Sequence, residues 1–171
     1  MRKITSNLRD RSNEAESPFL MDIAQLGLRI SLAVIYFWAI MDRLGWLGTA
    51  QSGKVAWGNW ASFAAYTHSL LPFLNDNLAN IAAVSSTAIE ILLGVLLIVG
   101  FRLRWVAIGS ALLTTLFALS MAVFLGGRAP LNYPVIVFIP ASLLLASLPA
   151  YRWSLDAVMA EHHATERGRI G

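Results

Sequence analysis

The amino-acid sequence predicts an all-α integral membrane protein, a bundle of four transmembrane helices with an interfacial amphipathic segment between helices 1 and 2. Three observations carry that expectation. Hydrophobic residues make up 57% and charged residues 13% of the 171, whereas soluble domains are about 45 to 50% apolar. The apolar residues fall in four blocks, Ile23–Met41, Leu78–Gly100, Trp105–Leu125 and Leu131–Ala150, each close to the roughly 17 to 25 residues a spanning helix needs. Lys and Arg are also unevenly placed. Four spans put both termini on one side, which collects Arg2, Lys3, Arg9, Arg11, Arg102, Arg104, Arg152, Arg167 and Arg169, against Arg43, Lys54 and Arg128 opposite. The positive-inside rule then sets both termini in the cytoplasm.

Residues 1–21 form a polar segment too acidic and too long for a secretory n-region, so the first helix reads as an uncleaved signal anchor. The transmembrane domain is expected over 22–150 and a cytoplasmic tail over 151–171. Asp22 and Arg43 bracket the first helix, and the 21 residue steps from one to the other span about 31 Å as a helix. Asp22, Arg29, Tyr36 and Arg43 recur every seven residues, which places them on one helix face that should turn toward the bundle. Between the first two spans, Trp57, Trp60, Phe63 and Tyr66 repeat every three residues. They predict an amphipathic helix over Lys54–Leu74, on the non-cytoplasmic surface or as a lid over the bundle, stopped at Pro72.

In the second span Ala82, Ser86, Glu90 and Gly94 lie four apart and form a narrow line of small residues through one carboxylate. The link Phe101–Arg104 is so short that the second and third spans must be antiparallel neighbours. The third span carries Ser110, Thr114, Thr115 and Ser120, ordinary packing residues in a bundle, and the fourth holds Pro140 near its middle, which predicts a kink. A short helix is expected from Ser154, with Asp156 in its first turn.

Glu90 is the chemically informative residue. It stands alone in an uncharged stretch of 23 residues, Leu78 to Gly100, and a charge at that depth costs about 2.5 to 3.5 kcal/mol on insertion scales. Such a group finds a partner, faces the interior or stays protonated. Arg29 is the expected partner, in a bidentate intramembrane pair to which Ser86 or Tyr36 adds hydrogen bonds. The pair serves either as an interhelical lock or as a functional site that exchanges protons or holds the polar head of a lipid-soluble molecule. Tyr36, Trp38, Trp60 and Tyr66 are the aromatic candidates for contact with such a molecule, and Asp42 and Arg43 are interfacial anchors or further site residues.

The chain has no cysteine, which excludes disulfides and thiol exchange within it. His68, His162 and His163 lie outside the spans and lack metal-ligand spacing. No metal and no intrinsic cofactor are therefore expected. No basic face with stacking residues points to nucleic acid.

From Leu28 to Met159 the chain resembles the DoxX family of small bacterial membrane proteins. The resemblance rests on Leu28-Arg29-Ile30, on Met41-Asp42-Arg43-Leu44-Gly45-Trp46, on Ala88-Ile89-Glu90-Ile91-Leu92-Leu93-Gly94, on Arg128-Ala129-Pro130-Leu131-Asn132-Tyr133 and on Arg152-Trp153-Ser154-Leu155-Asp156. The Gly-Pro-Gly that often precedes Ser-Leu-Asp in that family is replaced by Pro149-Ala150-Tyr151-Arg152-Trp153. The resemblance implies a four-helix bundle in the bacterial inner membrane and a relation to a thiosulfate:quinone oxidoreductase subunit. It suggests a quinone-associated or redox-complex subunit, with quinone as a bound cofactor and redox or assembly proteins as partners. A non-catalytic assembly subunit is the alternative and a small transporter a weaker one. Small-residue faces leave homodimerisation open.

Overall fold

The computed structural model describes residues 2–53, 55–131, 133 and 135–170, with side chains described for 19–50, 52, 53, 55–131, 133, 135–162, 165 and 166. Among these residues the chain is all helical, with α1 (Arg2–Arg43), α2 (Trp60–Leu70), α3 (Asp76–Val99), α4 (Leu103–Phe124), α5 (Val135–Ser147) and α6 (Leu155–Ile170) joined by two short 3-10 turns. α1 begins well before Asp22, because hydropathy marks where a helix is apolar and is silent about a polar extension. Its apolar part is Phe19–Arg43.

Three helices, Phe19–Arg43 within α1, α3 and α4, are long and apolar enough to cross a membrane. The expected fourth span is not reached by α5, which has 13 residues, about 20 Å at the usual rise. Its segment still runs the height of the bundle, from Tyr133 beside Tyr66 of α2 to Ser154 beside Gly100 at the α3–α4 turn. Proline chemistry limits the helical part. Pro130 occupies a 3-10 turn before it, and α5 stops at Ser147, two residues ahead of Pro149, whose ring disfavours helical backbone in the residue before it.

α5 packs chiefly on α4, α3 lies against α1 and α4, and α2 lies across α3. Leu32, Ala33, Leu93, Leu97, Leu103, Val106, Ala107, Leu145 and Ala146 form the core between α1, α3, α4 and α5. Outward faces are apolar as well: Val34, Trp38, Ile81, Leu92, Leu112, Leu116, Val123 and Leu144 are all exposed. A belt of that extent is what a lipid-facing bundle presents, and a water-soluble monomer does not. The expected seven-residue stripe does turn inward, with Arg29 and Arg43 fully buried and Tyr36 half-buried. Gly94 gives Phe37 of α1 room to lie on α3, since a Cβ there would stand 3.1 Å from its ring.

At one end of the bundle the C-terminal segment closes the α3–α4 turn. Gly100 caps α3 with φ +77, and Arg102 takes φ 47. Asp156, the acidic residue in the first turn of α6, accepts the backbone N–H of Arg102 at 2.7 Å and of Leu103 at 2.8 Å, so a residue of α6 caps α4. Arg152 also pairs with Asp22 at 2.9 Å.

Candidate functional site

At the other end, α2 roofs a partly open cavity of about 160 Å³ lined by residues of α1, α2, α3, α4 and α5 and of the segments just before α2 and α5. Asn59 starts α2 by accepting the N–H of Ser62 at 2.8 Å. Phe63, Thr67 and Leu70 then form its buried face over the bundle, which is the lid arrangement of the two expected for this segment. Trp57 precedes the helix, so the four aromatics do not share one helical face. Trp57 nevertheless packs edge-on against Phe63 at 5.2 Å between ring centroids.

The cavity wall is apolar, with Phe63, Phe117, Met121 and Phe138 among its members, and it carries one ion pair. Arg43 Nη1 lies 2.6 Å from Glu90 Oε2, and Arg43 Nη2 donates to Glu90 Oε1 at 3.0 Å. Nη1 also donates to Thr87 Oγ1 at 2.9 Å. The guanidinium lies over the Phe63 ring, 3.9 Å from its centroid, a cation–π contact that ties α2 to the pair. Both charged side chains are buried.

Arg29 does not pair with Glu90, contrary to the expectation from depth. It donates instead to the carbonyls of Leu97 at 3.1 Å, Ile98 at 3.1 Å, Trp153 at 3.2 Å and Arg152 at 3.4 Å, and the Arg152 carbonyl also accepts from Gln25 Nε2 at 2.8 Å. The reason is the direction in which helical side chains lean. They tilt toward the N-terminus of their own helix. Arg29 therefore leans away from Glu90, to the carbonyl-rich C-terminal end of α3 where a cation is favoured, while Arg43 leans back along α1 toward it.

Of the other expected contacts, Tyr36 and Tyr66 line the cavity. Tyr36 shares a 2.7 Å hydrogen bond with Ser110, which reaches Ser142 at 2.9 Å, linking α1, α4 and α5. The Tyr66 phenol is pushed up to about 12, by burial first and then by neighbouring Tyr133, so it stays protonated at neutral pH. Trp38 is 55% exposed on the outer face. Trp60 donates to Asn80 Oδ1 at 3.3 Å and Ser86 to the Ala83 carbonyl at 3.0 Å, and neither reaches the cavity. Sequence reasoning gave no cavity role to Phe117, Tyr133 or Phe138, because an aromatic in an apolar span carries no signal of what it faces.

Asp42 is buried but faces a backbone nest. It accepts the N–H groups of Ala56 at 3.0 Å, Trp57 at 3.2 Å and Gly58 at 2.7 Å, which fixes the segment leading into α2. Asp42→Ala should cost about 2 to 3 kcal/mol, because the substitution removes charge-assisted hydrogen bonds and leaves three N–H groups without their acceptor. Hydrogen exchange would show it: amides 56–58 should lose protection, and unchanged protection would disprove the anchor. Among the described residues there is no cluster of three or more His, Asp or Glu able to hold a metal.

Comparison with known families corrects one expectation. The family model described as methylamine utilisation protein MauE matches residues 21–132, and no DoxX model matches. Most of the motifs behind the DoxX resemblance lie inside that same stretch. An Arg and an acid at depth are what any bundle with a buried ion pair requires, so they do not discriminate between membrane families. No curated protein and no solved structure matches the chain significantly.

Proposed function

Since the chain belongs to the MauE family of membrane proteins, we propose that it is a membrane subunit of a methylamine-utilisation or related redox system that holds a ring-sized, lipid-soluble molecule of the quinone class for a partner protein. The cavity under α2 carries this reading. Its volume of about 160 Å³ is close to the ~150 Å³ that accepts benzene in an engineered protein core, so one ring is accommodated, with any substituents directed to the open side. Aromatic walls with a few fixed polar groups are what such ligands need. The chain has no cysteine, so any thiol step falls to the partner.

Extraction of the protein purified from native membranes, followed by mass spectrometry of the lipid fraction, tests the proposal. A quinone should co-purify with wild type and fall about tenfold or more in Ala39→Phe, which fills the preformed cavity from α1. Equal quinone in both proteins would refute it. A second reading, an assembly subunit, is favoured by the way Arg43 fastens α1, α2 and α3 together. It requires partner proteins to co-purify with Ala39→Phe as well as with wild type.

A further inference from the structure

Among the described residues four buried side-chain polar atoms have no hydrogen-bond partner: Gln25 Oε1, Arg43 Nε, Tyr66 Oη and Glu90 Oε2. Three of them belong to residues that line the cavity. Glu90 Oε2 faces Arg43 Nη1 at 2.6 Å as an ion pair, which engages one of its two lone pairs and leaves the other able to accept. More than about 90% of buried polar groups in folded proteins are satisfied. Tyr66 also has the Tyr133 side chain beside it, so the spare hydrogen-bonding capacity at the cavity is the Arg43 Nε–H, one lone pair of Glu90 and one site of the Tyr66 hydroxyl, and that capacity describes what the cavity is shaped to receive.

The three differ in kind. Arg43 Nε–H can only donate, the Glu90 carboxylate can only accept, and the Tyr66 hydroxyl can do either. A quinone carbonyl would satisfy the donors while turning its lone pairs on the carboxylate. An ether has the same defect. An ammonium would suit Glu90 but would meet the Arg43 guanidinium that already neutralises it. A hydroxyl donates and accepts at once, and on an aromatic ring it combines that capacity with the apolar body the walls require.

We propose that the cavity selects the reduced, hydroxyl-bearing form of its ring ligand, a hydroquinone or related phenol, with a ring hydroxyl donating to Glu90 Oε2 and Tyr66 or Arg43 Nε bonding ring oxygens. This rests on the ring-binding reading above and adds its redox state. Selective binding of the reduced form raises the ligand's midpoint potential by about 30 mV for each tenfold of preference in a two-electron couple.

Calorimetric titration of the full chain in lipid nanodiscs with trimethylhydroquinone, trimethyl-1,4-benzoquinone and the dimethyl ether of that hydroquinone tests it. The hydroquinone should bind about tenfold or more tighter than either analogue, as expected for one hydrogen bond to a charged group. Tyr66→Phe should weaken hydroquinone binding about fivefold. Ala39→Phe should abolish saturable binding of all three. Quinone or ether binding as tight as the hydroquinone would overturn the selectivity and leave ring binding intact. Absence of saturable binding for every probe, as expected of a cavity that holds only water, or binding that survives Ala39→Phe, would overturn both. The wild-type ratio needs no variant, so misfolding of a mutant cannot shelter the proposal.

Discussion

Arg43→Met and Glu90→Leu, each alone, should lower stability by about 3 to 5 kcal/mol, whereas the double variant should stand close to wild type. The asymmetry follows from burial. Each single change leaves an uncompensated buried charge, while removing both also removes the desolvation penalty that the pair carries. Arg43 adds a hydrogen bond to Thr87 and its stacking on Phe63, so its loss should be the larger of the two. Unfolding in detergent micelles provides the double-mutant cycle, whose coupling should exceed the roughly 0.5 to 3 kcal/mol usual for residues in contact, because each single variant leaves a buried charge without its partner. Additive losses would mean that the two side chains do not act as a pair. The double variant also separates architecture from ligand chemistry: it should fold, yet lose the hydroquinone preference.

Arg29→Leu should be comparably harmful, at about 3 to 5 kcal/mol, because one buried guanidinium serves four carbonyls from two parts of the chain and hydrogen bonds to charged groups contribute about 1.5 to 3 kcal/mol each. The loss should be local at first. Leu97 and Ile98 keep their helix, but the turn carrying Arg152 and Trp153 loses its main attachment to α1. Limited trypsin digestion reads this out at Arg152, whose side chain is already exposed at 63% and whose backbone is held. Cleavage there should accelerate well before the bundle unfolds. Unchanged digestion would show that Gln25, Asp22, Ser154 and Asp156 hold the turn without Arg29.

Much of this architecture is legible in the sequence, and the failures have physical causes. Apolar length identifies α1, α3 and α4, and the seven-residue recurrence of Arg29, Tyr36 and Arg43 identifies the inward face of α1. Asn59 and Asn75 cap α2 and α3, a favoured use of Asn on which none of the expectations above rests. Hydropathy also marks Leu131–Ala150 as a span, but it does not register how prolines shorten the helix within it. The buried pair was anticipated in kind and misassigned in partner, because sequence spacing measures depth and the tilt of a side chain decides which neighbour it meets. The role of Asp42 depends on three backbone amides brought back by a loop, and no local pattern announces such a nest.

The cap that Asp156 places on α4 also imposes an order of events. The two amides it binds begin a helix whose own sequence supplies no side-chain cap, and the carboxylate arrives 54 residues after Arg102. During synthesis α4 is therefore made without its cap, and its first turn is closed only after the following segment through α5 has been added and residue 156 docks.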